Sequence, residues 1–255
     1  MFRYHKKYLT FAILVYLLCT LNSALASKVG IQGLPAPYNP IDDKNAHNFV
    51  KKGLAYAKEF YGDPVIPVKK VQLCLDAAIT EDRRLKGSFP RCDLTFPDKG
   101  IFTIYLSRTP REQAFYGQLS HEIGHLLNTK LFDCYTEGLN SVFAEELLRK
   151  EGKDWSVWID HYKANGDPFY AATYFMMKDI YKVARFKDIK SFLKYAVSDG
   201  DKTTRMHIDI DKWLDSIPDE KSNRIRRIIK RHAPAVHREL RGDKRHYTFM
   251  LPNAR

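Results

Sequence analysis

The sequence predicts an α+β chain, a small mixed sheet confined to the first half and a mostly helical second half. Three observations carry this. Val65–Leu75 and Gly100–Leu106 are rich in β-branched and aromatic residues and are bounded by turn formers. Helical periodicity frames them, at Phe49–Tyr61 before and at Leu119–Leu127 after. Beyond Lys150 the apolar residues recur at helical spacing almost to the end.

Residues 1–26 predict an export signal. Arg3, Lys6 and Lys7 precede an apolar run from Leu9 to Leu21, and Ala24-Leu25-Ala26 supplies a small-x-small cleavage pattern. An uncleaved anchor is the alternative, but the run is shorter than the ~20 clean residues a span requires. Cys19 lacks the small residue that precedes a lipidated cysteine. The expectation is a secreted or periplasmic chain cleaved near Ala26, with no transmembrane segment in the mature part.

Of the 255 residues, 42 are Lys or Arg and 30 Asp or Glu, a formal net charge of +12. Losing the three signal cations leaves +9 (39 basic against 30 acidic). Much of the excess lies in the last forty residues. It suggests attraction to an anionic surface such as a cell envelope; nucleic acid is not expected of an exported chain. Cys74, Cys92 and Cys134 remain, and an oxidising compartment favours a Cys74–Cys92 bridge with Cys134 unpaired.

The prolines at 35, 37 and 40 predict an extended arm. The Asp42-Asp43 pair caps a helix with Phe49, Val50, Leu54, Ala57, Phe60 and Tyr61 on its apolar face, and Gly62-Asp63-Pro64 stops it. Val65–Leu75 is a strand, residues 81–92 a charged loop and Gly100–Leu106 the clearest strand. Thr109-Pro110 is the expected start of the next helix.

That helix carries His121-Glu122-Ile123-Gly124-His125. Helical residues four apart share a face, so His121 and His125 can grip one zinc ion with two imidazoles. Glu122 then lies beside the metal, where a carboxylate can take a proton from activated water. Leu119, Ile123, Leu126 and Leu127 supply the buried frame. The ordinary alternative is two partly buried histidines and a surface carboxylate. No internal repeat, phosphate-binding glycine loop or Gly-x-Ser-x-Gly nucleophile is present.

With Glu137-Gly138-Leu139 and Phe143-Ala144-Glu145 downstream, this motif resembles the gluzincin clan of zinc metallopeptidases, most nearly its peptidase-MA-like domains. The resemblance covers about residues 95–200. It implies a zincin-like fold in which both histidines and a glutamate of the next helix hold zinc, with Glu122 as general base. Glu137 is the favoured third ligand, because it fits the Glu-Gly-Leu pattern and Gly138 would let the helix approach the metal. Glu145, twenty residues after His125, is the alternative, though Glu145 and Glu146 also suit a solvated face paired with Arg149 and Lys150. Many relatives carry an acid four residues after the ligand to orient a histidine; here that place is Ser141. Cys134 as a ligand is awkward beside Glu137, and a buried thiol is its simpler use.

After Lys150, Trp155, Trp158, Ile159 and Tyr162 share a helical face, and Gly166-Asp167-Pro168 breaks the chain. The resemblance implies an oxyanion-binding tyrosine early in the following helix. Tyr170 fits best and Tyr174 lies one turn later, while both also suit a core. Met176 and Met177 are packing residues. Short helices are expected at residues 188–196 and 208–214, completing a lobe over 151–220. A basic helix and tail over 221–255 then have Ile225, Ile228 and Ile229 on one buried face and the cations on a solvated one.

The sheet part is thus placed up to about residue 110, within a domain spanning 27–220, and the site helices at 111–150. The function implied is peptide hydrolysis. A catalytically silent zinc domain that binds a peptide or envelope component is the alternative, and a cationic surface-binding protein with an incidental histidine pair is a third.

Overall fold

The computed structural model of the chain describes residues 39–75, 90–164, 166–200, 205–242 and 247–253. The elements below belong to the unit formed by Pro40–Leu75 and Phe89–Arg255. The signal-peptide reading, the arm up to residue 38 and the charged loop at 81–89 lie outside the described residues.

Helix α1 (Lys44–Tyr61) starts where the Asp43 carboxylate accepts the Ala46 amide at 2.8 Å, and it ends at Gly62, whose φ of 95° is left-handed. Its apolar face is buried at Phe49, Val50, Ala57, Phe60 and Tyr61. The strands β1 (Lys70–Leu75), β2 (Arg91–Phe96) and β3 (Ile101–Leu106) follow. β3 pairs parallel with β1 and antiparallel with β2, so the sheet is mixed. Phe102, Ile104 and Leu106 share one face of β3 and are fully buried in the core. Residues 65–69 precede the strand, and Val65 is 66% exposed.

The register overturns the expected disulfide. Cys74 lies opposite Tyr105 from one side of β3, and Cys92 opposite Ile104 from the other. Two strand spacings, about 10 Å, separate them, well beyond disulfide reach. All three described cysteines are thiols. Cys92 is a strand residue rather than the end of a loop.

Helix α2 (Phe115–His125) begins six residues later than Thr109 predicts. Thr109 and Pro110 lie in a turn instead: Glu112 Oε1 accepts the Thr109 amide at 2.8 Å, and the Glu112 amide donates to the Thr109 carbonyl. Gln118 then ties α2 to the end of β3, accepting from the Ser107 amide and donating to its hydroxyl at 2.6 Å.

Helix α3 (Cys134–Lys150) is capped by Asp133, which accepts from the Thr136 amide and hydroxyl. Residues 134–144 are buried on all sides. Two glycines permit this. A Cβ on Gly124 would strike the Asn140 side chain, and one on Gly138 the Thr173 carbonyl, so α3 is pressed between α2 and α5. Gly138 therefore opens α3 to a neighbouring helix, not to a metal.

Helices α4 (Ser156–Lys163) and α5 (Pro168–Ile189) follow, with Asp167 capping the latter. Met176 and Met177 are fully buried. The helix expected at 188–196 is instead the end of α5, a 3-10 turn at Phe192–Tyr195 and strand β4 (Ala196–Ser198). Likewise β5 (Met206–Ile208) precedes α6 (Ile210–Asp215). β4 and β5 pair antiparallel. Helix α7 (Asp219–Gly242) buries Ile225, Ile229 and Val236, with Ile228 half-buried. Residues 247–253 return to the start of α3: the Cys134 amide donates to the Thr248 carbonyl, and Tyr135 Oη to the Met250 carbonyl at 2.6 Å. The architecture is α+β. Among the described residues no helix is long and apolar enough to cross a membrane.

Candidate metal centre

Helices α2 and α3 bring His121, His125 and Glu137 together. His121 Nε2 lies 3.1 Å from Glu137 Oε2 and 3.2 Å from His125 Nε2, and His125 Nε2 lies 3.5 Å from Glu137 Oε1. Ligands about 2.0–2.1 Å from a tetrahedral metal are spaced about 3.3 Å apart. The separations are near that spacing, with one carboxylate oxygen of Glu137 facing each imidazole, and one donor atom from each residue lies within 4.8 Å of the others, so this group could hold a metal ion.

Charge and burial agree with that use. Burial would raise the pKa of Glu137, but the two imidazoles hold its carboxyl well below the ordinary value. Burial alone would lower His125; the Glu137 charge and hydrogen bond outweigh it and carry the pKa up to about 9. Glu122 is 4% exposed and pushed upward by burial. Its Oε2 is buried without a hydrogen-bond partner. An orphaned carboxylate oxygen costs stability unless something occupies the space before it.

Ser141 Oγ lies 3.2 Å from His121 Nδ1 and 3.2 Å from the Glu137 carbonyl. The position that the sequence left without an acid is thus served by a hydroxyl. Glu145 lies elsewhere, taking Tyr174 Oη at 2.8 Å and Lys178 Nζ at 2.7 Å. Neither expected i,i+4 pair forms: Glu146 meets Arg149 at i,i+3 spacing, 2.6 Å, and Lys150 reaches Glu59. Cys134 is buried in the first turn of α3 and contributes no atom to the group.

The Tyr170 ring stands edge-on to His121, 5.5 Å between centroids, whereas Tyr174 is fully buried against Glu145. Tyr170, His121 and Glu122 line a cavity of ≈ 190 Å³ together with Trp155, Trp158 and His161. The two tryptophans were legible only as one apolar helical face; nothing in their spacing marks a cleft. No family model, curated protein or solved structure matches the chain.

Proposed function

We propose that the protein is a zinc-dependent peptidase of gluzincin type with a zincin-like fold, acting outside the cytoplasm. The observation that carries the reading is the cluster of His121 Nε2, His125 Nε2 and the two Glu137 carboxylate oxygens, with separations of 3.1, 3.2 and 3.5 Å. Two imidazoles and a carboxylate leaving a fourth position open are the donor set of hydrolytic zinc sites. Zinc held there supplies Lewis acidity and a water acidified toward neutrality.

The chain's own residues do the rest. Glu122, whose Oε2 lacks a partner, takes the proton of the attacking water and passes it to the departing amine. Its burial-raised pKa suits an acid that must hold and release a proton. Tyr170 donates to the oxyanion developing on the substrate carbonyl. Trp155 and Trp158 wall the cleft in which a substrate side chain rests.

The test is cleavage of an unstructured protein such as casein by zinc-loaded wild type and Glu122→Gln. The substitution should lower the rate by about 10²–10⁴-fold while one zinc per chain is retained. Equal rates would remove Glu122 from its assigned role. Bound zinc with no cleavage by wild type would favour a peptide-binding domain.

A further inference from the structure

Away from the metal centre, α7 and the returning tail enclose a second groove, ≈ 930 Å³ in volume. Arg226, Arg227, Lys230, Arg238 and Arg241 line it, and no carboxylate does. Arg226 is committed to the fold: its Nη1 donates to Asp211 at 2.8 Å and to the Asn253 carbonyl at 2.9 Å, fastening the tail onto the helix. Arg238 reaches Glu239 at 2.8 Å. Arg227, Lys230 and Arg241 form no ion pair among the described residues. Converging unpaired cations repel one another, and a concave low-dielectric wall concentrates their field outward.

The cations fall into two pairs, Arg227 with Lys230 and Arg238 with Arg241, each at the i,i+3 spacing that makes helix residues neighbours. Eleven residues separate the pairs, about 16 Å along the axis. One small anion cannot satisfy both; a chain with repeated anionic groups can. A tetrahedral phosphate offers oxygens in several directions and can bridge two cations one turn apart, and guanidinium groups match it well. A bilayer surface is flat, whereas Leu251 and Pro252 wall this site into a groove.

We infer that this groove binds a linear polymer of repeated phosphate groups. The assignment is independent of the hydrolytic reading.

The experiment titrates the full-length chain into fluorescently labelled inorganic polyphosphate, over a range of salt. Wild type should bind, with affinity falling steeply as salt rises. The triple variant Arg227→Gln, Lys230→Gln, Arg241→Gln should bind at least tenfold more weakly, with a salt slope shallower by roughly two. Its circular dichroism should match wild type, since none of the three residues is buried. A charge-matched control, Lys51→Gln, Lys58→Gln, Lys194→Gln, alters exposed lysines elsewhere and should bind as wild type does. Equal loss in the control would show that only net charge matters and overturn the assignment. So would an absence of binding at low salt, or tighter binding to polyglutamate or to phosphatidylglycerol vesicles than to polyphosphate.

Discussion

Ser141 stands between the two helices of the metal centre: its Oγ is 3.2 Å from His121 Nδ1 and 3.2 Å from the carbonyl of Glu137, one turn earlier on α3. A hydroxyl has one proton. If it donates that proton to the Glu137 carbonyl, its lone pairs can only accept from His121 Nδ1–H. That fixes the tautomer and leaves His121 Nε2, the atom facing Glu137, as a lone-pair donor. Ser141→Ala should therefore weaken zinc binding by about tenfold or more, with the helices intact. Competition against a chelator of known affinity reads this, and unchanged affinity would mean that Ser141 only fills space.

The proposed oxyanion donor is Tyr170, whereas Tyr174 lies buried against Glu145. Tyr170→Phe should leave zinc content and KM nearly unchanged and lower kcat by about 10²–10³-fold. Tyr174→Phe should spare kcat but reduce thermal stability, because its hydroxyl donates to the half-buried Glu145 at 2.8 Å and accepts from Lys178 at 2.7 Å. The opposite pattern would reverse the assignment.

Zinc binding and metal-free stability should respond to pH in opposite directions. In the metal-free chain His125 is raised from 6.5 to about 9 by Glu137, so zinc must displace a proton. Zinc affinity should rise about tenfold per pH unit and flatten near pH 9. A histidine raised on folding contributes stability that is whole below its unfolded value and is lost above its folded one. The contribution of the His125–Glu137 pair should thus fade between pH 6.5 and about 9. Denaturant melts of the chelated protein across that window measure it, with Glu137→Gln as the flat control.

Gly138 is held against the Thr173 carbonyl, which cannot move without shifting α5. Gly138→Ala gains helix propensity, about 1 kcal/mol, but overpacks the contact, at about 1–3 kcal/mol or more. A net loss of stability is expected, together with weaker zinc binding as Glu137 is displaced. A more stable variant with unaltered zinc affinity would show that the interface has slack.

The candidate metal centre was legible because its donor set obeys short-range spacing. His121 and His125 are one turn apart on a helix framed by Leu119 and Ile123, and Glu137 opens the next helix. The contact of Ser141 with His121 was not legible, since a lone hydroxyl mid-helix carries no motif. The helix starts later than Thr109-Pro110 indicates because Thr109 is held in a turn by Glu112. The Cys74–Cys92 bridge failed because sequence places neither strand relative to β3. The short strands β4 and β5 are too brief for a period-two pattern to show. Tertiary pairing, not local preference, makes them strands.

The central claim is a single metal ion held by His121, His125 and Glu137. The most direct measurement is zinc K-edge absorption spectroscopy with metal quantification on purified wild type, Glu137→Ala and Glu145→Ala. The account predicts one zinc per wild-type chain with two imidazole nitrogens at about 2.0–2.1 Å, lost in Glu137→Ala and kept in Glu145→Ala. No stoichiometric zinc in wild type, or zinc retained by Glu137→Ala and lost from Glu145→Ala, would contradict it.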